Sequence, residues 1–330
     1  LGNEAAWALL GTQWPTAGRG IFGAKGIEER RGYFWRSALG PWVLATLHPA
    51  GILRKPVPGH YLLHHDFRRA RLWLEGKLPR ESIPEHRMLD AAGVRILKQH
   101  TLVAYDVDTK WDMTSLAMHG FAGDDLIPRI GLFPGNWPRA RQVLLSNVPK
   151  VGHNGRFDLS VLQKLYNTKV VNYLHDTMTL WWALEPELAG KEEASEEGGA
   201  SGGSSRQTRK ALAFMASVYS FNLPWWKNYP KDDDPEDVAR DKLMAVNAAD
   251  VWVTRQLASS MLPEIERCDV GRQYRRSLDL LPRMVNQHLR GLRIDDDLRI
   301  EREKVLRVRQ ESTEAQVQQL GLAYIQEHQL

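Results

Sequence analysis

The stretch LVAYDVDTKWD, Leu102 to Asp112, decides how this chain is read. Leu102 to Tyr105 form a run suited to a strand, and it ends in two aspartates separated by one valine. Side chains two apart on a strand share a face, so Asp106 and Asp108 present both carboxylates to one side. Buried carboxylates are costly unless water, a partner or a cation compensates them. The pair therefore suits a shared divalent metal.

Outward from the pair, three more aspartates sit among apolar neighbours: Asp158 in HNGRFD, Asp176 in LHDTM and Asp250 in NAADV. Carboxylates aimed at one point raise one another's pKa until a cation neutralises them. Asp158, Val161, Leu162 and Leu165 follow helical spacing, as do Leu243, Val246, Val251 and Val253. The apolar run 127–133 lies between the first two acidic motifs, and Trp42–Leu47 reads as a strand entering a loop. From Tyr274 onward, Leu278, Leu281, Val285 and Leu289 mark one amphipathic helix; RGLRIDDD is a break and 297–328 a longer helix. The segment 190–207, GKEEASEEGGASGGSSRQ, has no aromatic or branched apolar residue and reads as a disordered loop.

The chain has 330 residues, 43% of them hydrophobic, enough for more than one domain with ordinary cores. Its 44 Lys and Arg against 40 Asp and Glu give a net charge of +4, which permits a polyanionic partner without demanding one. The single cysteine, Cys268, excludes an internal disulfide and a cysteine-built zinc or iron–sulfur site, and fits a reducing setting. No apolar run is long enough to span a bilayer, so no membrane partner is expected. The opening on Leu1 and the end inside a helical pattern suggest a piece of a longer polypeptide.

Taken in order, VAYDVDT, VGHNGRFDLSVL, HDTM and NAADVWVT resemble the motifs of the 3′–5′ proofreading exonuclease domain of family A DNA polymerases, in the DEDD superfamily. The resemblance covers about residues 95–268. It implies an α/β, ribonuclease-H-like fold with a mixed sheet and flanking helices. It further implies that Asp106, Asp108, Asp158 and Asp250 hold two divalent cations, Mg²⁺ or Mn²⁺, which remove nucleotides from a single-stranded DNA 3′ end. Two such ions roughly 3.5–4 Å apart clamp the attacking and leaving oxygens of an in-line displacement. On this reading Asn154 holds the strand and Asp176 braces the ligands from behind. His153 and His175 make structural hydrogen bonds, since oxygen ligands suit Mg²⁺ better. Two positions depart from the family pattern: Asp108 stands where Glu is usual, and Val246 where a tyrosine orients the attacking water. The alternative is therefore a weakened or inactive exonuclease fold kept as a DNA-binding scaffold. A third reading is an RNA-trimming nuclease of the same superfamily.

The flanks carry weaker likenesses. Residues 1–85, with RRGYFW and the HPAGILR loop of His48, Pro49 and Ala50, resemble the C-terminal half of the uracil-DNA glycosylase superfamily, without that superfamily's water-activating segment. Arg19, Arg30, Arg31, Arg54 and Lys55 offer phosphate contacts there. Residues 269–330 are similar to the start of a family A polymerase thumb, so the expected division is 1–85, 86–268 and 269–330. The expected partners are single-stranded or primer-template DNA and a polymerase domain in the same polypeptide, in the cytoplasm of a bacterium or phage-infected host. Trp181 and Trp182 read as core. Trp225 and Trp226, in a polar stretch, are the expected base-stacking pair.

Overall fold

The computed structural model describes residues 3–11, 27–37, 39–54, 56–78, 85–109, 116–189, 211–219, 223–227, 236–291 and 293–328. The loop expected at 190–207 lies outside them, as do Arg19 and the side chains of Arg54 and Lys55. Two compact units result, Leu1–Asn286 and Gln287–Leu330.

In chain order the first unit opens with α1 (Asn3–Leu10), α2 (Ile27–Arg30), the antiparallel pair β1 (Phe34–Arg36) and β2 (Trp42–Leu44), α3 (Pro49–Arg54) and α4 (Pro56–Leu74). It continues with β3 (Arg87–Met88), α5 (Ala91–Leu97), β4 (Val103–Thr109), β5 (Leu116–Ala122), β6 (Arg129–Leu132), α6 (Trp137–Leu144), β7 (Lys150–Gly152), α7 (Arg156–Tyr166) and β8 (Tyr173–Asp176). Then come α8 (Thr177–Leu184), α9 (Pro186–Ala189), α10 (Leu212–Val218), α11 (Glu236–Arg267), α12 (Gly271–Asp279) and α13 (Leu281–Arg290). The second unit is chiefly α14 (Asp296–His328), the long helix expected at 297–328.

Six strands form one mixed sheet in the order β3-β6-β5-β4-β7-β8. β4 runs antiparallel to β5, and β5 to β6, while β4–β7, β7–β8 and β3–β6 are parallel. Central β4 shows why the DVD run matters. Val103, Tyr105 and Val107 join a core with Leu97 of α5, Val143 and Leu144 of α6 and Leu162 of α7. The alternate residues turn the other way: Ala104 packs against Ala258 of α11. By the same alternation Asp106 and Asp108 face α11.

A second, larger core lies on that α11 side and includes Trp181, Phe214, Trp226, Val246, Val253 and Leu257. Tyr33 and Leu62 belong to it too, so the first segment packs directly on the sheet-bearing part. Arg31 and Asp66 are both buried and joined by two hydrogen bonds, one of them Nε to Oδ2 at 2.9 Å. Thr46 Oγ1 donates to Asp66 at 2.6 Å, Arg31 Nη1 to Ser217 Oγ at 3.1 Å, and Arg69 Nη1 to the Ser217 carbonyl at 3.0 Å. Arg31 is thus an internal ion-pair member and not a surface phosphate contact.

The single amphipathic helix expected from Tyr274 is two helices, α12 and α13, parted at Leu280. Pro282 has no N–H to give the Leu278 carbonyl, and its ring crowds that oxygen, so the first helix ends and Pro282 falls in the first turn of the next.

Candidate active site

All four motif aspartates line one cavity of about 380 Å³, together with Val107, His153, Asn154, Phe157, Met178, Ala211 and Lys227. β4 supplies Asp106 and Asp108, α7 supplies Asp158, and α11 supplies Asp250. The parallel register Ala104↔Val151 carries the turn after β7 to the level of Asp106, which brings His153 and Asn154 to the cavity wall.

Two residues that the motif reading missed organise these carboxylates. Asn247 lies one turn before Asp250 on α11, and its Nδ2 donates to Asp106 Oδ2 at 2.8 Å and to Asp108 Oδ2 at 2.9 Å. Gly120 of β5 is directly opposite Asp106, and a Cβ there would stand 2.1 Å from Asn247 Oδ1. Only glycine leaves room for the amide. The second is Lys227, whose Nζ donates to both Asp250 oxygens, at 2.6 and 2.7 Å. Trp226 Nε1 donates to the same carboxylate at 2.9 Å. The N-A-A-D spacing was the available signal for Asn247, since residues three apart share a helix face. Nothing local flagged Lys227, which reaches Asp250 across 23 residues.

The electrostatics are strained in one direction. Burial, then the charges of Asp108, Asp158 and Asp250, push the Asp106 carboxyl well above the usual aspartate range. Burial, then Asp250, pushes Asp108 up to about 6, with Asn247 and Lys227 pulling the other way. Asp158 is also well raised, by burial and then by Asp108 and Asp176. Positive charge is what this cavity is short of.

Asp176 is buried behind the cavity and does not line it. Its side chain caps α8 through the Thr179 amide at 3.0 Å and accepts from the Gly155 amide at 2.8 Å and Tyr173 Oη at 2.7 Å. This bond holds the turn that precedes Asp158. His153 Nδ1 pairs with Thr177 Oγ1 at 2.9 Å and His175 Nδ1 with Tyr274 Oη at 3.0 Å, as expected of structural histidines. Val246 is buried in the larger core and offers the cavity no hydroxyl.

The exposure expected of Trp225 and Trp226 is corrected, although Trp225 borders an adjoining cavity of about 390 Å³ with Asp106, His153, Lys227 and Asp250. Trp225 and Trp226 are only 7% and 1% exposed. They pack edge-on against Tyr33, at centroid distances of 5.3 and 6.0 Å. Their apolar area outweighs the polarity of the neighbouring sequence. The aromatic ring that does line the cavity, and is 41% exposed, is Phe157. In the first segment, His48 caps the short helix α3, with Nδ1 accepting from the Ala50 amide at 3.1 Å; His48 and Pro49 are exposed and Ala50 half-buried.

The four carboxylates are hard oxygen donors, and those of Asp106, Asp108 and Asp158 carry raised pKa values, which fits a divalent cation chemically. Among the described residues, no three Asp, Glu, His or Cys side chains stand close enough to enclose one ion. Nor is any described helix long and apolar enough to cross a membrane.

No curated protein sequence matches the chain. Similar solved structures include Brucella melitensis NrnC with bound Mg²⁺, 16% identical, TM-score 0.43, covering 59% of this chain and 88% of that one. Escherichia coli RNase D, an exoribonuclease involved in structured RNA processing, is 14% identical, with TM-score 0.44 and coverage of 64% and 51%. The POL domain of Pol1 from M. smegmatis, in complex with DNA primer-template and dNTP, is 13% identical, with TM-score 0.44 and coverage of 65% and 33%. A family model described as 3′–5′ exonuclease matches residues 97–266, just over half the chain, and the mixed sheet with flanking helices fits its ribonuclease-H-like fold. Since the match runs from the end of α5 nearly to the end of α11, through every element that gives the cavity a carboxylate, the chain belongs to the 3′–5′ exonuclease family.

Proposed function

We propose that the aspartate cavity is the active centre of a metal-dependent nuclease that removes nucleotides from the 3′ end of single-stranded DNA. The observation that carries this reading is the convergence of Asp106, Asp108, Asp158 and Asp250 on one cavity, three of them with raised pKa. These four would hold the divalent cations, two in number on the family's pattern. When bound, the cations supply the positive charge that activates water and stabilises the departing 3′ oxygen.

The chain's own groups prepare the site. Asn247 fixes one oxygen of Asp106 and one of Asp108, so the pair keeps a single orientation as charge is added. Lys227 and Trp226 hold Asp250. Asn154, exposed at the cavity wall, faces an incoming strand, and Phe157 offers its ring to the terminal base. DNA is favoured over RNA by the resemblance of the flanking segments to DNA enzymes, and a polymerase domain in the same polypeptide belongs to the same reading.

The reading is tested by release of 3′ nucleotides from labelled single-stranded DNA and RNA with Mg²⁺ or Mn²⁺, beside the Asp106→Ala variant. Cation-dependent loss from DNA that the variant abolishes supports it; faster loss from RNA turns the substrate assignment over. One observation favours a second reading, a DNA-holding scaffold without catalysis: Lys227 and Asn247 already occupy oxygens of three of the four carboxylates. DNA binding without cation-dependent loss would decide for it.

A further inference from the structure

Lys227 lines the aspartate cavity and also the adjoining cavity of about 390 Å³, and Asp106 and Asp250 are on the walls of both. Its Nζ donates to Asp250 Oδ1 at 2.6 Å and to Oδ2 at 2.7 Å, and Trp226 Nε1 adds a third bond, to Oδ1. The ammonium is also 5.9 Å from the centre of the Trp226 ring, whose face attracts a cation. Of the four aspartates that line the cavity, Asp250 alone has both oxygens engaged among the described residues. Asn247 takes only Oδ2 of Asp106 and Oδ2 of Asp108.

This pair is placed differently from the structural pair of Arg31 and Asp66, which is fully buried and lines neither cavity. The Lys227 side chain is 19% exposed, opens onto both cavities, and ends a flexible four-carbon stem. Its charge lies where the carboxylates converge, the position that suits a divalent ion. Among the described residues no three acidic, His or Cys side chains enclose one ion, and Asp250 is turned to Lys227 instead.

We infer that Lys227 is a built-in competitor for the cation place at Asp250, so that this centre takes one divalent ion readily and a second only when Lys227 withdraws. The inference rests on the nuclease reading of the aspartate cavity and deepens it. An ammonium and a divalent ion seek the same hard oxygens, and Asp250 Oδ1, with two donors on it, has no lone pair left for another partner. Twice the charge favours the divalent ion at sufficient concentration, whereas the tethered ammonium is present at every encounter and weakens its binding. Lys227 thereby sets the cation concentration at which the centre is complete.

The test is a Mn²⁺ titration of the full chain without nucleic acid, with free Mn²⁺ read by electron paramagnetic resonance. Wild type, Lys227→Met and Lys227→Arg are compared, and Lys227→Gln, a neutral donor to Asp250, repeats the comparison if the Met variant does not fold. Wild type is expected to bind one ion tightly and a second about tenfold or more weaker. Lys227→Met should tighten the weaker site by about tenfold, and Lys227→Arg, which keeps the charge, should behave as wild type. In EDTA Lys227→Met should melt below wild type, and saturating Mn²⁺ should raise its melting temperature by more.

Two equal sites in wild type, a weaker site unmoved by loss of the lysine charge, or equal Mn²⁺-induced rises in melting temperature overturn the inference. Any of these with Mn²⁺ still bound removes the role of Lys227 alone. No Mn²⁺ bound by wild type or variant removes the cation-dependent nuclease reading and this inference with it.

Discussion

Two buried charged clusters lie in the same compact unit and differ in one respect. In the cluster around Arg31 and Asp66, each charge faces an opposite charge or a well-placed dipole from Thr46 or Ser217. In the cluster around Asp106, Asp108 and Asp158, like charges face one another and the carboxyl pKa values climb. The first is closed and ties the N-terminal segment to α10. The second is open, borders a cavity, and is left short of positive charge. Charge that is satisfied internally holds a fold together, and charge left unsatisfied at a cavity marks a place for a ligand.

The largest break in that comparison is Asp106→Ala. Cation-dependent 3′ nucleotide release should fall by about three orders of magnitude or more, as several kcal/mol of charge stabilisation are lost. Without divalent cation the same variant should melt a few degrees higher than wild type, because a raised carboxyl pKa means its ionised form is strained in the fold. Calorimetry in EDTA checks this, and a lower melting point would show that the carboxylate is structurally satisfied after all.

Asp66→Ala acts on the closed cluster and should behave in the opposite way. It leaves Arg31 buried without its partner and should cost roughly 3–5 kcal/mol in urea unfolding. A loss under about 1 kcal/mol would mean that Ser217 and water carry the guanidinium alone.

His119 is a third case, a buried side chain with no hydrogen bond to either ring nitrogen among the described residues. Burial lowers its pKa to about 4 from the usual 6.5. Between those values the unfolded chain binds the proton and the folded chain does not, so stability is full above about 6.5 and is lost as pH falls toward 4. The loss amounts to roughly 3–4 kcal/mol at full protonation. His65, also lowered to about 4, adds to the same acid limb. His119→Phe, beside Phe121 and Trp137, should leave a shallower limb in melts across this range, and an unchanged slope would assign the limb to His65.

The smallest effect expected is from Gly120→Ala. Its methyl would meet Asn247 Oδ1 and must displace the amide, at about 1–2 kcal/mol of stability. Activity should fall more than stability does, because Asp106 and Asp108 lose their common donor. Parallel melts and release assays separate the two, and equal retention of both would show that Asn247 is dispensable.

Much of this site was legible from local pattern. Alternation along 103–109 puts Asp106 and Asp108 on one face, and the order of the four motifs resembles that of a mixed α/β exonuclease fold. Period-two and helical repeats are properties of neighbouring residues, so a linear chain displays them. Asn247 joining aspartates 139 and 141 residues away, Lys227 on Asp250, and Arg31 on Ser217 across 186 residues depend on how the chain returns to itself. Burial of Trp225 and Trp226 was likewise decided by tertiary structure. Their polar neighbours predicted exposure, but the area gained by packing against Tyr33 and α11 is larger, and only the assembled core supplies that surface.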